Sequence, residues 1–482
     1  MTRTNLYSKN SNMLERFVIE GVWYVNDMSI SDGIFGQLNY SPEKIILELK
    51  GSFTNSLIAD RIENTTIYGF STDGNYILLE NCFIVNQSNN FPGITILEYN
   101  IQTIFISESE VNHSILENIK KFTISFEEYE NWNTSSAIQL LRPPVDSELI
   151  SIQYSRDSLK EIQKEYFLEN SNLKMTEFAD IKSDFKNSLS DLTILQKKYL
   201  SFEHSDSTTF NYGEAMEHIG FINQLYSFLL NNILNYKEFC LHITNLSTQD
   251  LQKVQVYFHQ RIAATNSRYL INYNEIEDIF PRLLNEFDTL YSKLEKILSG
   301  HLNSSFKNFF EVDDFLQAAR NLEVFSRNFH NVESNLPDNY SQTKETLLEN
   351  LNQVEDPNLI RFFENKITFI GEISLNKKLK ILIQSIPQEL KIGLFKLPNK
   401  SPSDSINKFC QTVADTRNYY THGDTISKYD NAINDMKELH TIYMKMRCLM
   451  DILILKTLTI DEEKIINTIK RWDGPYQQLF FN

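Results

Sequence analysis

The apolar residues change along the chain from a strand-like to a helix-like spacing, and this change limits the possible folds more than any other feature. From about residue 15 to 155, short β-branched and aromatic runs alternate with turn residues, which is typical of antiparallel strands. Examples are residues 45–49, 94–97 and 101–106, with turns at 71–75 and 91–93. Residues 173–182 are a further candidate strand. The N-terminal part is therefore predicted to be β-rich and antiparallel.

From about residue 185 the apolar residues recur at helical spacing. Leu189, Leu192, Leu195 and Leu200 fit one stripe, and residues 299–311 are polar and include Gly300, so a boundary is expected there. Helices are predicted over residues 214–236, 275–298, 312–334, 372–385, 403–422, 430–458 and 461–472. We therefore predict an α+β chain: a β-rich domain at 1–184, a helical continuation at 185–310 and an all-α helical bundle at 311–482.

Composition sets the class of protein. With 482 residues the chain is too long for one core. There is no run of about 18 apolar residues to span a membrane, and residues 1–12 are polar, without the apolar core of a signal peptide. The four cysteines form neither a metal-ligand spacing nor a disulfide framework, and no phosphate-binding glycine loop is present. We therefore expect a cytoplasmic protein with reduced thiols, no cofactor, no metal and no membrane partner.

Residues 417–423 read RNYYTHG and place a guanidinium, an amide and an imidazole within six residues. Such groups can cut RNA without a metal, because the 2′-hydroxyl of the substrate is itself the nucleophile. His422 could transfer the proton, since its reference pKa of about 6.5 lies close to working pH. Arg417 could stabilise the phosphorane, because a guanidinium binds phosphoryl oxygens bidentately. Asn418 could orient the phosphate or the imidazole.

The local sequence predicts a helix that ends at His422, with Ser403 as a candidate cap at its start. Gly423 suits the left-handed conformation that closes a helix. Side chains five residues apart point about 140° away from each other on a helix of about 3.6 residues per turn. Arg417 and His422 therefore do not converge on one straight helix. Either the helix end distorts, or two copies of the motif face each other across a two-fold interface. The plain alternative is a capping histidine beside a surface arginine.

The segment resembles the R-N-x-x-x-H signature of HEPN ribonucleases, a family of small helical domains, with Arg417, Asn418 and His422 in the matching positions. The family also has an acidic residue followed four later by a basic one on an early helix, and Glu323 and Arg327 occupy those places. An ordinary i,i+4 ion pair, worth about 0.3–0.5 kcal/mol, is the alternative for that pair. The resemblance implies a C-terminal HEPN domain at 311–482. It also implies a metal-independent endoribonuclease, assembled as a homodimer or larger homo-oligomer, that leaves 2′,3′-cyclic phosphate ends.

The N-terminal part is similar to the first domain of ApeA-type proteins. The resemblance rests on GVW at 21–23, GQL at 36–38, IYGF at 67–70, Gly74, ILL at 77–79, FTISF at 122–126 and Trp132. ApeA-type proteins pair this domain with a C-terminal HEPN domain and act in bacterial defence against phage. The resemblance therefore implies abortive infection, tRNA or mRNA as the substrate, a phage-derived protein as a candidate trigger, and a sensing or gating role for the N-terminal region. Trp23 and Trp132 are predicted to be core residues rather than ligand contacts.

Charge limits contact with RNA but leaves one segment suited to it. The net charge of -17 opposes general nucleic-acid binding, because affinity for phosphate comes from lysine and arginine. Residues 366–400 carry seven lysines against two glutamates and precede the motif. This lysine segment is either an RNA-facing rim or an ordinary solvated face.

Two other functions stay open at this point. The helical domain could be a non-catalytic scaffold whose motif binds nucleotide or packs a dimer. Alternatively, the β-rich domain could bind a protein or sugar ligand while the helices only oligomerise. RNA cleavage by the wild-type protein separates the nuclease from both.

Overall fold

The computed structural model describes residues 5–9, 11–26, 28–53, 65–89, 93–141, 151–153, 155–185, 192–244, 251–263, 268–307, 309–330, 339–351, 353–368, 373–423 and 425–481. By its internal contacts the chain divides into two units, Met1–Thr289 and Leu290–Asn482. The first unit is built on a sheet and the second is helical. The predicted α+β class is confirmed.

The first unit contains sixteen strands among the described residues. They are β1 Asn5–Leu6, β2 Phe17–Tyr24, β3 Ile34–Ser41, β4 Lys44–Leu49, β5 Thr65–Ser71, β6 Tyr76–Asn89, β7 Thr95–Asn100, β8 Thr103–Ser107, β9 Ile119–Phe126, β10 Gln139–Leu141, β11 Ser151–Gln153, β12 Lys164–Leu168, β13 Leu173–Phe185, β14 Leu192–His204, β15 Tyr236–Thr244 and β16 Leu251–Phe258. Fourteen of them form one sheet in the order β1-β2-β3-β4-β7-β6-β8-β16-β15-β9-β14-β13-β12, with β5 beside β2 and β6. The pairing is antiparallel except between β1 and β2, which confirms the antiparallel prediction.

Short helices accompany this sheet. They are α1 His113–Leu116, α2 Glu127–Trp132, α3 Arg156–Glu161, α4 Tyr212–Leu230 and α5 Tyr273–Ile276. The longest, α4, begins with a capping box in which Asn211 and Glu214 satisfy each other's backbone N–H groups, and it ends at Asn231 in the left-handed conformation.

Glycines make room for Trp23 within the sheet. Trp23 on β2 is fully buried, and Gly69 stands opposite it on β5. A Cβ added at Gly69 would lie 2.4 Å from the indole, and one at Gly36 on β3 would lie 3.1 Å from it. Trp132 is also buried, and its indole N–H donates to the Ile271 carbonyl at 2.8 Å. Both tryptophans are therefore core residues, as predicted.

The helical prediction for the leucine stripe is wrong. Residues 192–204 form β14, which pairs with β13 so that Phe178 stands opposite Tyr199. Leu200 and Phe202 are buried while Leu195 is exposed, and the backbone of all three residues is part of this strand. Leu189 lies outside the described residues. The three described leucines matched helical spacing by coincidence, and β15 and β16 add two more strands where helices were expected.

The second unit is a bundle of helices. The helix α6, Phe280–Ser305, begins before this unit and continues into it; the others are α7 Val312–Phe329, α8 Tyr340–Leu351, α9 Pro357–Thr368, α10 Leu375–Ser385, α11 Gln388–Phe395, α12 Pro402–His422, α13 Met436–Thr457, α14 Glu462–Ile469 and α15 Gln477–Phe480. The apolar core includes Phe315, Leu322, Leu382, Val413, Met446 and Leu449. The predicted helices beginning near 312, 372, 403, 430 and 461 are all present, and α8, α9, α11 and α15 are additional.

A boundary was expected near residues 299–311 because they are polar and include Gly300, but α6 continues through this glycine to Ser305. A Cβ at Gly300 would lie 2.4 Å from Gln317 Nε2 and 2.9 Å from Asn321 Oδ1, both on α7. Gly300 therefore lets α6 and α7 approach closely and does not end the helix. The contacts divide the chain at Thr289 and Leu290 instead.

Cys82, Cys240, Cys410 and Cys448 are free thiols, and all four are buried. Cys410 lies in α12 and Cys448 in α13, as predicted for buried helix residues. None of the described helices combines the length and the apolar content that crossing a membrane requires. Within the described residues no three His, Cys, Asp or Glu side chains cluster as metal ligands would.

Candidate active site

Helix α12 presents the RNYYTHG segment at its C-terminal end. The Ser401 side chain caps its start by accepting from the Asp404 N–H at 3.0 Å, so Ser401 and not Ser403 is the cap. Gly423 adopts a φ of 63° and donates its N–H to the Tyr419 carbonyl at 3.1 Å. The predicted helix end at His422 is confirmed, and the helix is continuous through that residue.

The chain after the motif folds back along α12 and fixes its last turns. The Asn431 amide donates to Asp415 Oδ2 at 2.9 Å, and the Ile433 N–H donates to Thr416 Oγ1 at 3.0 Å. Lys408, about two helical turns before Asp415, donates to Asn431 Oδ1. These contacts lie directly before Arg417, so the returning segment holds the backbone that carries the guanidinium.

Arg417 is held from two sides. Its Nη1 donates to Asn418 Oδ1 at 3.1 Å, and its Nη2 lies 3.9 Å from Glu323 Oε2 on α7. Glu323 Oε1 in turn accepts from Lys378 Nζ on α10 at 2.9 Å. Three helices thus contribute one charged side chain each, and the Arg417 side chain remains 38% exposed. A guanidinium held in this way keeps N–H groups free for a ligand while its position is restricted.

The positively charged groups around Glu323 keep its carboxyl group ionised. Burial would raise the pKa of this carboxyl, but the hydrogen bond from Lys378 and the charges of Lys378, Arg327 and Arg417 outweigh burial, and the pKa lies below its ordinary value. Glu323 pairs with groups on other helices, while Arg327, four residues later, acts on it through charge at longer range. The ordinary i,i+4 ion pair is therefore not the arrangement found.

A cavity of about 380 Å³ opens beside Arg417. It is lined by Leu316, Arg320, Glu323, Arg327, Arg417 and Thr421. Three guanidiniums face one carboxylate there, and the carboxylate is already shared with Lys378. The excess of positive charge in a half-open cavity suits a phosphate group, which guanidiniums recognise through paired N–H donors.

His422 lies just outside this cavity. It is exposed at the end of α12, whereas the preceding residue, Thr421, lines the cavity. Because the helix remains regular through His422, its end does not distort to turn the imidazole toward Arg417. One chain therefore brings together Arg417, Asn418 and Glu323 but leaves His422 apart from them.

Two family models match the chain. The model described as ApeA N-terminal domain 1 matches residues 18–287, which is more than half of the sequence. The chain belongs to the ApeA family. A second model, Apea-like HEPN, matches residues 316–464 and so includes Glu323, Arg417, Asn418 and His422. Both resemblances inferred from the sequence are confirmed. Neither a curated protein nor a solved structure gave a significant match.

Two cationic side chains of this ApeA-family HEPN domain were missed by sequence reasoning. Arg320 lies three residues before Glu323, on the same face of α7, and lines the cavity. Its spacing from Glu323 and Arg327 was visible in the sequence. Lys378 was counted among the exposed lysines of the 366–400 segment, yet it is only 7% exposed and contacts Glu323. No local pattern distinguishes Lys378 from its neighbours, because its burial depends on how α10 packs.

Proposed function

We propose that this ApeA-family protein is a metal-independent endoribonuclease of anti-phage defence, which cuts cellular tRNA or mRNA. The cavity that gathers Arg320, Arg327 and Arg417 at the end of the motif helix carries the proposal. Three guanidiniums around one space repel one another, whereas a ribose phosphate in that space would be stabilised by all three.

In the proposed reaction the 2′-hydroxyl of the substrate attacks the adjacent phosphorus, and its proton passes to a base. The 5′-oxygen leaves with a proton, which gives a 2′,3′-cyclic phosphate and a 5′-hydroxyl. His422 is the proton-transfer group, because it is an exposed imidazole at the end of the motif helix. Arg417 stabilises the charge of the phosphorane.

Asn418 and Glu323 act on the reaction through Arg417. Asn418 accepts from one guanidinium nitrogen, and Glu323 lies beside the other. Both are therefore positioning residues, and the cavity leaves the remaining N–H groups of Arg417 for the phosphate. Arg320 and Arg327 would bind a phosphate of the RNA backbone next to the one that is cut.

The active form is a homodimer or a larger homo-oligomer. Arg417 and His422 point about 140° apart on a regular helix, so a second copy is needed to bring an imidazole to the cavity. With a two-fold axis near the C-terminal end of α12, each copy would place its His422 at the cavity of the other copy.

Family membership supports the role in defence. The proposed outcome of activation is cleavage of cellular RNA in the cytoplasm and arrest of growth, with a phage-derived protein as the trigger and the N-terminal unit as the gate. The acidity of the chain fits such control, since a net charge of -17 slows the encounter with RNA until the cavity is presented.

Sequencing of RNA ends after induced expression tests the nuclease. Wild-type protein should produce new 5′-hydroxyl ends, and Arg417→Ala and His422→Ala should each abolish them. Arg361→Ala and His440→Ala are matched controls, because both side chains are exposed elsewhere in the same unit. Cleavage that survives both motif variants would refute the assignment, as would cleavage that a chelator stops and magnesium restores.

The position of His422 outside the cavity favours one second candidate, a non-catalytic scaffold that binds nucleotide at the arginines. A scaffold would protect RNA or nucleotide without producing new ends. The same sequencing experiment separates it from the nuclease, because only the nuclease changes the RNA.

A further inference from the structure

A second cationic cavity lies in the N-terminal unit, on the outward face of the sheet. Its volume is about 440 Å³, within the range of about 300–1,000 Å³ that small-molecule sites occupy. It is lined by Lys121, Thr123, Phe178, Ala179, Asp180, Lys182, Tyr199, Glu238, Cys240, His242 and Lys253. The opposite face of the same strands carries the buried residues Phe122, Ile124, Phe202 and Leu241. The cavity is thus a polar surface built on a rigid floor.

Two lysines and a histidine stand side by side in this cavity. His242 on β15 is directly opposite Lys253 on β16 and directly opposite Lys121 on β9. Residues opposite each other in antiparallel strands share a face, so the two ammonium groups flank the imidazole on one side of the sheet. A bound anion would be attracted by both ammonium groups and would favour a protonated imidazole between them.

Two of the acidic groups around the cavity, Glu203 and Glu238, are engaged with other lysines, and the charges of Lys182 and Lys253 also act on Glu238. Glu203 stands opposite Lys121 in the register, but its carboxylate lies 3.3 Å from Lys174 Nζ. Glu238 accepts from Lys197 Nζ at 2.6 Å and from the Tyr199 hydroxyl at 3.2 Å. Asp180 is exposed at the edge and stands opposite Lys197. No ion pair is formed by Lys121, Lys182 or Lys253 with any residue that the structure describes.

The pKa of His242 depends on the charges that surround it in the cavity. Burial and the charges of Lys121 and Lys253 lower the pKa of this imidazole to about 4. One ring nitrogen lies 3.2 Å from Thr123 Oγ1, and the ring is half-buried. Because burial and two ammonium groups together keep it neutral, an anion placed between the ammonium groups would favour uptake of a proton by the imidazole.

An aromatic wall borders the cationic group. Phe178 and Tyr199 stack with their ring centroids 5.3 Å apart and their planes 19° apart. Tyr199 is buried, whereas Phe178, which stacks on it, is half-exposed and lines the cavity. A half-exposed ring beside clustered ammonium groups offers a stacking surface for a planar ring that carries an anionic group.

From this arrangement we infer that the sheet-face cavity binds a small ligand with a planar ring and a phosphate monoester, the chemistry of a nucleoside monophosphate. Lys121, His242 and Lys253 hold the phosphate, Lys182 adds positive charge at the rim, and Phe178 stacks on the ring. The inference is independent of the proposed ribonuclease, since every residue that carries it belongs to the N-terminal unit.

Isothermal titration calorimetry on the full chain tests the inference with three probes: adenosine monophosphate, adenosine and inorganic phosphate. The monophosphate should bind at least about tenfold more tightly than either fragment. The double variant Lys121→Gln/Lys253→Gln should weaken binding about ten- to a hundredfold. The control Lys44→Gln/Lys50→Gln removes the same charge from exposed positions of the same unit and should bind as the wild type does. Phe178→Leu should weaken the monophosphate but leave inorganic phosphate unchanged.

Proton uptake gives a readout that a structural role for His242 would not change. Titrations at about pH 6 in two buffers of different ionisation enthalpy should show protons taken up with the monophosphate, and His242→Gln should remove this uptake. The variants' thermal unfolding is measured in parallel, so that a folding defect is recognised.

The ribonuclease site could also bind a monophosphate, so Arg417→Ala is included. Binding that persists in Arg417→Ala and weakens in the double lysine variant supports the inference. Binding lost in Arg417→Ala and unchanged in the lysine variant would overturn it, and so would a lack of heat with millimolar monophosphate. Inorganic phosphate binding as tightly as the monophosphate would overturn the nucleotide assignment.

Discussion

Glu323 accepts a hydrogen bond from Lys378 at 2.9 Å while its second oxygen lies 3.9 Å from Arg417. The carboxylate of Glu323 therefore connects its own helix, α7, to α10 and to the motif helix α12. Lys378 is buried, so the carboxylate also compensates a charge that has little access to water. The position of Arg417 and the stability of the helical unit depend on the same side chain.

Glu323→Gln should lower the free energy of unfolding by about 1–3 kcal/mol, because it leaves the ammonium of Lys378 without its anionic partner. It should also reduce RNA cleavage, since the guanidinium of Arg417 loses one of its two contacts. Urea unfolding and RNA-end sequencing measure the two effects. Glu349→Gln, an exposed glutamate on α8, is the matched control and should change neither.

The same ion pair predicts a pH dependence. The pKa of Glu323 is lower in the folded chain than in the unfolded chain, so its contribution to stability is present above the unfolded value and is lost as the pH falls through the folded value. The stability difference between wild type and Glu323→Gln should therefore shrink when urea unfolding is repeated at falling pH below about 4.5. A constant difference would show that the carboxylate is not held ionised by its neighbours.

His242 should destabilise the N-terminal unit in acid. Its pKa of about 4 in the folded chain is below that of an unfolded histidine, so the unfolded state binds the proton more readily, and stability falls as the pH drops from about 6.5 toward 4. The loss has an upper limit of about 3 kcal/mol. His242→Gln should flatten this part of the stability–pH curve measured by urea unfolding. An unchanged slope would contradict the burial and cationic surroundings described for this ring.

Trp23 and Gly69 permit a double-mutant test of the glycine pattern. Gly69→Ala should destabilise the N-terminal unit by about 1–3 kcal/mol, because the added Cβ would lie 2.4 Å from the indole. In a Trp23→Leu background the same change should cost much less, since the ring that it meets is gone. Thermal or urea unfolding of the four proteins gives the coupling energy. Equal costs in both backgrounds would mean that Gly69 is required for another reason.

These residues show which parts of the structure the sequence could predict. The end of α12 depends on neighbouring residues, Gly423 above all, and it was predicted to the residue. The leucine stripe failed because Leu200 and Phe202 are buried by strands that pair across the sheet, and three leucines can match helical spacing without forming a helix.

The candidate site likewise contains residues that the sequence could predict and residues that it could not. Arg417, Asn418 and His422 are adjacent in sequence and were found from their order. The contact of Lys378 with Glu323 spans 55 residues and two helices, so no local pattern could predict it. Lys121, His242 and Lys253 lie on three different strands. Their position side by side on one face can be recognised only once the order of β9, β15 and β16 is known.

Mixed oligomers test whether two copies share the proposed ribonuclease site. If Arg417 of one copy acts with His422 of another, a heterodimer of Arg417→Ala and His422→Ala chains contains one site with both residues intact and one site with neither. Random mixing makes about half of the dimers heterodimers, each with one working site, so RNA cleavage should return to about a quarter of the wild-type rate. Each variant alone should be inactive, and co-expression with differently tagged chains allows the heterodimer to be purified. If both residues came from the same chain, no heterodimer would contain an intact site and cleavage would stay at the background of the single variants. Recovery thus separates a shared site from a self-contained one, and its absence in a purified heterodimer would contradict the proposed two-fold arrangement.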